Sequence, residues 1–312
     1  MVGCDGTLSG WEGKVFDAII IGGGPAGVSC AVWLARLGFS SLLLEAEAHV
    51  GGLCRLNPFY DEWNAALPGV AGAQVAENLA LSLEQAGAPA RLLYRVGQIQ
   101  RVGQTFAVTR EDGNDVLHAR RVVLATGVKA RTLPELADGS VTELDAGCVL
   151  VGPGEDIVAY DFQRKRVAIL GGGDNAFENA LFAINQGALS VRIYARTIRA
   201  QQQFVRQVAA SNIFLGDYRV DVAARTVNDQ GYDVILVFYG WEPCVGLADG
   251  LALQRTNQGF IATRTDTAET SCEGVYAIGE VAQRQHPCVV TALADGVAAA
   301  KAIQARIEAR GA

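Results

Sequence analysis

Residues 16–47 read FDAIIIGGGPAGVSCAVWLARLGFSSLLLEAE, and this stretch decides the fold. Asp17–Ile21 is near-continuous in apolar residues, as a buried parallel strand is. Gly22, Gly24 and Gly27 then fit G-x-G-x-x-G, with Pro25 and Ala26 inside the turn, and Ala26–Gly38 has helical character. In such a unit the first glycine permits the tight turn and the second lets backbone approach a pyrophosphate. The third lets helix and strand pack closely, and the helix N-terminus faces the phosphates. A second strand, Ser41–Leu44, ends in Glu45, whose carboxylate is placed to accept hydrogen bonds from a ribose. Strand, glycines, helix, strand and acid in register predict a dinucleotide-binding unit.

An altered copy follows at 167–180, VAILGGGDNAFENA. Val167–Leu170 is again a strand, and Gly171, Gly173 and Ala176 fit G-x-G-x-x-A, with Asp174 and Asn175 opening the next helix. The strand Ser190–Tyr194 runs into Ala195-Arg196-Thr197, so a cation stands where the first copy has an acid. Arg196, with Arg199 after it, suits a 2′-phosphate and hence NADP rather than NAD. The alternative is that both arginines are only solvated.

The chain has 312 residues, half of them hydrophobic, and 36 glycines, enough for two α/β domains with separate cores. A formal net charge of −7 disfavours nucleic acid or an anionic membrane as partner. The apolar run near the start is short and followed by glycines, which fits neither a signal peptide nor a membrane span. The expected location is the cytoplasm. Seven cysteines (4, 30, 54, 148, 244, 272, 288) contain no CxxC, so neither a zinc site nor a secreted disulfide framework is indicated.

Three further segments carry a resemblance: Gly51-Gly52 before Cys54, Val122–Gly127 (VVLATG), and GVYAIGEVA at 274–282. With the two glycine motifs, this layout resembles the two-dinucleotide-domain flavoproteins, most closely the low-molecular-weight thioredoxin reductases and their relatives, over nearly all of Phe16–Ile303. The resemblance implies an α/β fold of two three-layer Rossmann-like domains, the second inserted into the first. The FAD-binding domain is expected at 1–127 and 241–312 and the second dinucleotide-binding domain at 128–240, with residues 1–14 as a flexible extension. It also implies FAD at the first motif, held by Gly22, Gly24, Pro25, Ala26, Gly27, Glu45, Gly52, Val96, Gly127, Gly279, Glu280 and Val289. Glu280 stands where the family carries aspartate. The segment PCVVTALADGVAAAKAI resembles the helix whose positive end favours a reduced, anionic flavin. At the second motif NADPH is implied, on Gly171, Gly173, Asp174, Asn175, Ala176, Arg196 and Arg199. The arginine spacing is shortened relative to the family, which leaves a second FAD or another nucleotide open. A homodimer is implied as well.

The sequence departs from the family where electrons should leave. The dithiol position reads Cys148-Val-Leu-Val151 and offers one sulfur. Larger flavoprotein disulfide reductases place a redox cysteine in GGTC beside the flavin; here GGLC supplies Cys54. Cys288 precedes the flavin-facing helix, where a helix N-terminus makes a cysteine a better nucleophile. Cys54 and Cys288 are therefore the expected pair, acting on a small redox protein or a thiol/disulfide substrate. The other readings are that they are small packing residues, as Cys30 is expected to be, and that the enzyme resembles the thioredoxin-reductase-like ferredoxin–NADP reductases. A flavin-binding sensor without catalysis is the third. Between Arg199 and Asp233 little chain remains for the strand meander the family inserts.

Overall fold

The computed structural model describes Trp11 and residues 13–57, 59–60, 63–137 and 147–311. Cys4 and most of the expected extension over residues 1–14 lie outside these described residues. The chain forms two compact units, one from the residues up to Val128 together with Pro243 onward, the other from Lys129–Glu242. It passes between them through Val128–Ala130 and Trp241–Pro243, two short strands that pair with each other.

In the first unit, β1 (Ala18–Ile21), β2 (Ser41–Leu44) and β3 (Val122–Leu124) join Val275–Ala277 and Ala90–Arg91 in a parallel sheet. Its order runs 275–277, β3, β1, β2, 90–91. β1 starts one residue later than the sequence predicts, because Asp17 lies in a bend ahead of it, its carboxylate accepting the Ser40 N–H (3.0 Å). β1 is apolar throughout because both faces are covered. Ala18 and Ile20 point into a core shared with helices α1 (Pro25–Arg36) and α2 (Gly72–Gln85) and with the long helix Val289–Gly311. Ile19 and Ile21 point into a second core. Ile19 and Ile20 are wholly buried, each gaining roughly 1.5–3 kcal/mol from leaving water. The second core lies under a four-stranded sheet of Val15–Phe16, Val116–Ala119, Thr105–Arg110 and Val96–Val102. Helices, parallel sheet and β-layer make three layers. α1 ends earlier than its pattern predicts, at Arg36, where Gly38 (φ +80°) turns the chain.

The second unit repeats the plan. β4 (Arg166–Leu170), β5 (Ser190–Ala195) and β6 (Val234–Val237) lie in a parallel sheet ordered 149–151, β6, β4, β5, 213–215. α3 (Asp174–Asn185) packs on one face. On the other face Tyr194 and Tyr232 share a 2.7 Å hydroxyl hydrogen bond inside a separate core. The meander is present but minimal, as strands Val220–Asp221, Thr226–Val227 and Gln230–Gly231. No helix among the described residues is long and apolar enough to cross a membrane.

Candidate functional site

Each glycine of the first motif does a different job, and the geometry separates them. Gly22 has φ +109°, and a Cβ there would meet the Ala125 carbonyl oxygen at 2.2 Å. A Cβ on Gly27 would meet the Gly22 carbonyl oxygen at 1.9 Å, so α1 lies hard against the end of β1. A Cβ on Gly24 meets nothing within 4 Å. Gly24 is also the N-cap of α1, and no side chain caps that helix end. The first-turn N–H groups, which begin at Ala26 because Pro25 has none, carry no side-chain cap, as a pyrophosphate site requires. Pro25 and Ala26 form the first turn of α1.

Glu45, 9% exposed, follows β2 and reaches back under the glycine loop. One carboxylate oxygen accepts the Gly23 N–H at 2.5 Å and the other the Glu47 N–H at 2.8 Å. Each oxygen keeps a lone pair for a ribose hydroxyl. The next loop is tied to the same place: the Gly51 N–H donates to the Gly23 carbonyl (2.8 Å), and a Cβ on Gly52 would sit 3.1 Å from Gly24 Cα. Val96, half-buried, opens the strand Val96–Val102 soon after Tyr94, whose N–H donates to the Glu45 carbonyl (2.8 Å). Gly127, at φ +65°, accepts the Cys244 N–H (3.0 Å). The residues expected to hold the adenosine and pyrophosphate of FAD are therefore brought together, and the open, uncapped cradle fits such a group.

At the other end of the unit, Gly279 and Glu280 form a short 3₁₀ turn after Val275–Ala277. Glu280 lines a small cavity together with Arg284, Cys288 and Asp295, and burial pushes its carboxyl above the ordinary glutamate range. Val289 is the half-buried first residue of the long helix.

Cys54 and Cys288 are both thiols; neither is in a disulfide. Cys54 lies in a 3₁₀ turn, Gly52–Leu56, half-buried on the rim of the helix-side core, where Val289 also packs. Cys288 is exposed, its sulfur 3.3 Å from Thr291 Oγ1, and its N–H donates to the same oxygen (3.2 Å). His286 is exposed, and its carbonyl accepts the Thr291 hydroxyl (2.7 Å). Cys30 is wholly buried, and burial alone pushes its thiol up to about 12. Cys148 directly precedes Val149–Val151, the edge strand of the second unit. Cys272 accepts a hydrogen bond from the Arg101 guanidinium (3.4 Å).

The second unit carries its own cradle. Gly173 is the N-cap of α3 with no side-chain cap, and a Cβ on it meets nothing within 4 Å. Gly171 and Gly172 are closed instead, since a Cβ would meet the Phe238 carbonyl oxygen at 2.3 Å and that of Thr197 at 2.0 Å. Ala176 is fully buried against the sheet. Asp174 is taken up by Gln201, whose N–H (2.7 Å) and side-chain amide (3.1 Å) donate to its two oxygens. The Asn175 carbonyl accepts the Asn179 amide (2.8 Å). The Arg199 N–H bonds the Gly172 carbonyl (2.7 Å), which folds the arginine-bearing loop onto the glycine turn. Both Arg196 and Arg199 are exposed.

Sequence reasoning missed three participants. Gly23 is held by Glu45, and its missing side chain is needed because a Cβ would lie 2.8 Å from Glu45 Oε2. Arg284 and Asp295 form an ion pair of 2.6 Å with both side chains 7% exposed. An aspartate inside the otherwise apolar run VVTALADGVAAA was the available signal for that pair.

The family description of the pyridine nucleotide-disulphide oxidoreductases matches residues 16–296. A thioredoxin reductase of Treponema pallidum is 28% identical over 94% of this chain and 97% of its own. A ferredoxin–NADP reductase of Leuconostoc mesenteroides is 24% identical, covering 91% and 90%. The crystal structure of Lactococcus lactis thioredoxin reductase superposes with a TM-score of 0.75 at 24% identity, over 93% of this chain and 98% of that one. The chain belongs to the pyridine nucleotide-disulphide oxidoreductase family and is a flavoprotein oxidoreductase with two Rossmann-like domains.

Proposed function

We propose that this family member is an NADPH-dependent FAD reductase that works without a CxxC dithiol. The observation that carries the reading is the pair of open, uncapped glycine cradles at Gly24 and Gly173, one in each unit. Gly22, Gly24, Pro25, Ala26, Gly27, Glu45, Gly52, Val96, Gly127, Gly279, Glu280 and Val289 would hold FAD. Gly171, Gly173, Asp174, Asn175 and Ala176 would hold the second nucleotide, with Arg196 and Arg199 on a 2′-phosphate. A bound flavin would accept a hydride from reduced nicotinamide and release its electrons to an acceptor.

Cys54 and Cys288 are the proposed exit. Their disulfide would take up two electrons and two protons and become two thiols. Cys54 packs on the same helix-side core as Val289, the residue that follows Cys288. The substrate class is then a small redox protein or a low-molecular-weight disulfide, met by a cytoplasmic homodimer. A second reading is direct transfer from flavin, as in the ferredoxin–NADP reductases; the lack of any CxxC and the similarity to the Leuconostoc mesenteroides enzyme favour it. Anaerobic mixing of purified, FAD-loaded protein with NADPH tests the entry half of the proposal. Bleaching of the flavin colour, faster with NADPH than with NADH, is expected. A flavin that neither nucleotide reduces overturns it.

A further inference from the structure

We propose that the buried Arg284–Asp295 pair is a positioning device, which fixes the Gly279–Glu280 turn against the N-terminus of α1 and ties down the loop that carries Cys288. The inference rests on the reading of this site as an FAD site.

Asp295 uses both oxygens. One meets Arg284 Nη1 at 2.6 Å; the other accepts the Gly279 N–H at 3.0 Å. Arg284 also donates through Nη2 to the Thr265 carbonyl. The turn thus hangs from a carboxylate one turn and a half inside the long helix, and the arginine pins the following loop to the same point.

That carboxylate is itself held in place. Gly296, the next residue, lies where a Cβ would meet the Ala26 carbonyl oxygen at 2.5 Å and the Cys30 nitrogen at 2.7 Å. The Ser29 hydroxyl donates to the Leu293 carbonyl at 2.8 Å across the same crossing. Gly279, at φ +69°, lies where a Cβ would be 2.9 Å from Ala26 Cβ. Ala26 therefore touches both the turn and the long helix, and it belongs to the helix end that faces the open cradle. Asp295 completes the triangle by bonding the turn to the helix.

Stability is a poor reason for this arrangement. A buried ion pair recovers its desolvation cost only with excellent geometry and full hydrogen bonding. Here Arg284 Nε has no hydrogen-bond partner among the described residues. Burial also pushes the Asp295 carboxyl up, against the pull of the guanidinium. Apolar side chains of similar size would fill the space as well. What they would lack is a directed acceptor for the Gly279 N–H.

The test is reconstitution of cofactor-free protein with FAD, read as dissociation constant and as the position of the visible flavin band. Wild type must first bind FAD; if it does not, the functional reading fails rather than this one. The double variant Arg284→Met/Asp295→Leu is expected to melt no lower than wild type when cofactor-free. It should bind FAD at least tenfold more weakly, with a shifted band. A dissociation constant within twofold of wild type and an unshifted band overturn the proposal. Should that variant not fold, Asp295→Asn and Asp295→Ala decide. Both lose the charge, but only Asn keeps an acceptor for Gly279. FAD binding at least fivefold tighter in Asn than in Ala is expected, and equal binding refutes the positioning role.

Discussion

Alanine at Gly24 should separate binding from folding. A Cβ at Gly24 meets nothing within 4 Å, and the backbone (φ −70°, ψ −179°) is one that alanine adopts freely. Replacing glycine restricts the unfolded chain, worth about 0.4–1 kcal/mol, but Gly24 is the N-cap of α1, where alanine is worse than glycine by a similar amount. The two effects nearly cancel, so in a unit of about 200 residues the melting temperature stays within about 4 °C of wild type. The same methyl fills the space through which phosphate reaches the α1 N–H groups. Losing one charge-assisted hydrogen bond costs about 1.5–3 kcal/mol, which is about 10- to 150-fold in dissociation constant. Gly24→Ala protein should therefore melt close to wild type without cofactor, yet retain FAD poorly. Gly27→Ala provides the contrast, since its Cβ would lie 1.9 Å from a carbonyl oxygen and should prevent folding. Thermal melts of cofactor-free protein beside FAD fluorescence quenching give both numbers. Gly24→Ala protein that binds FAD like wild type, or that melts far below wild type, would refute the reasoning.

Gly173→Ala should leave FAD content unchanged while weakening the second nucleotide at least tenfold, read by isothermal titration with NADP; unchanged affinity would make that motif only a turn. The double variant Arg196→Ala/Arg199→Ala should lose its preference for NADPH over NADH in flavin-reduction rates, and a retained preference would mean these arginines are merely solvated. Glu280 has its carboxyl raised above 4.5 by burial, so its contribution to cofactor-free stability is full below 4.5 and fades as pH rises through the raised value. Glu280→Gln should accordingly gain melting temperature over wild type with rising pH, and a pH-independent difference would contradict this.

The parts of this protein written in short-range chemistry were legible in its sequence. Gly22, Gly24, Gly27 and Glu45 lie within 24 consecutive residues, and strand, turn and helix placed them together. The second cradle followed by the same logic from Gly171, Gly173 and Ala176. The layer formed by Val96–Val102, Thr105–Arg110 and Val116–Ala119 was missed, although Gly103-Gln104 marks its first turn. Its apolar positions do not alternate regularly enough to announce strands: Val96–Val102 buries only Ile99, whereas Thr105–Arg110 buries Phe106, Ala107 and Val108 in a row. Asp174 looked like a ligand-facing residue at a helix start, and its engagement by Gln201 depends on a loop 27 residues away. The Arg284–Asp295 pair was illegible for a related reason. An aspartate in a small-residue helix has meaning only once α1, the Gly279 turn and that helix meet at Ala26.

The claim that electrons leave through Cys54 and Cys288 without a CxxC is tested most directly by counting electrons. Anaerobic reductive titration of air-oxidised, FAD-loaded wild type should consume one more two-electron equivalent than the Cys54→Ser variant at equal flavin content. The additional equivalent is the disulfide, which takes two electrons and two protons to give two thiols. Equal electron counts in the two proteins would contradict the account and leave the flavin as the point where electrons depart.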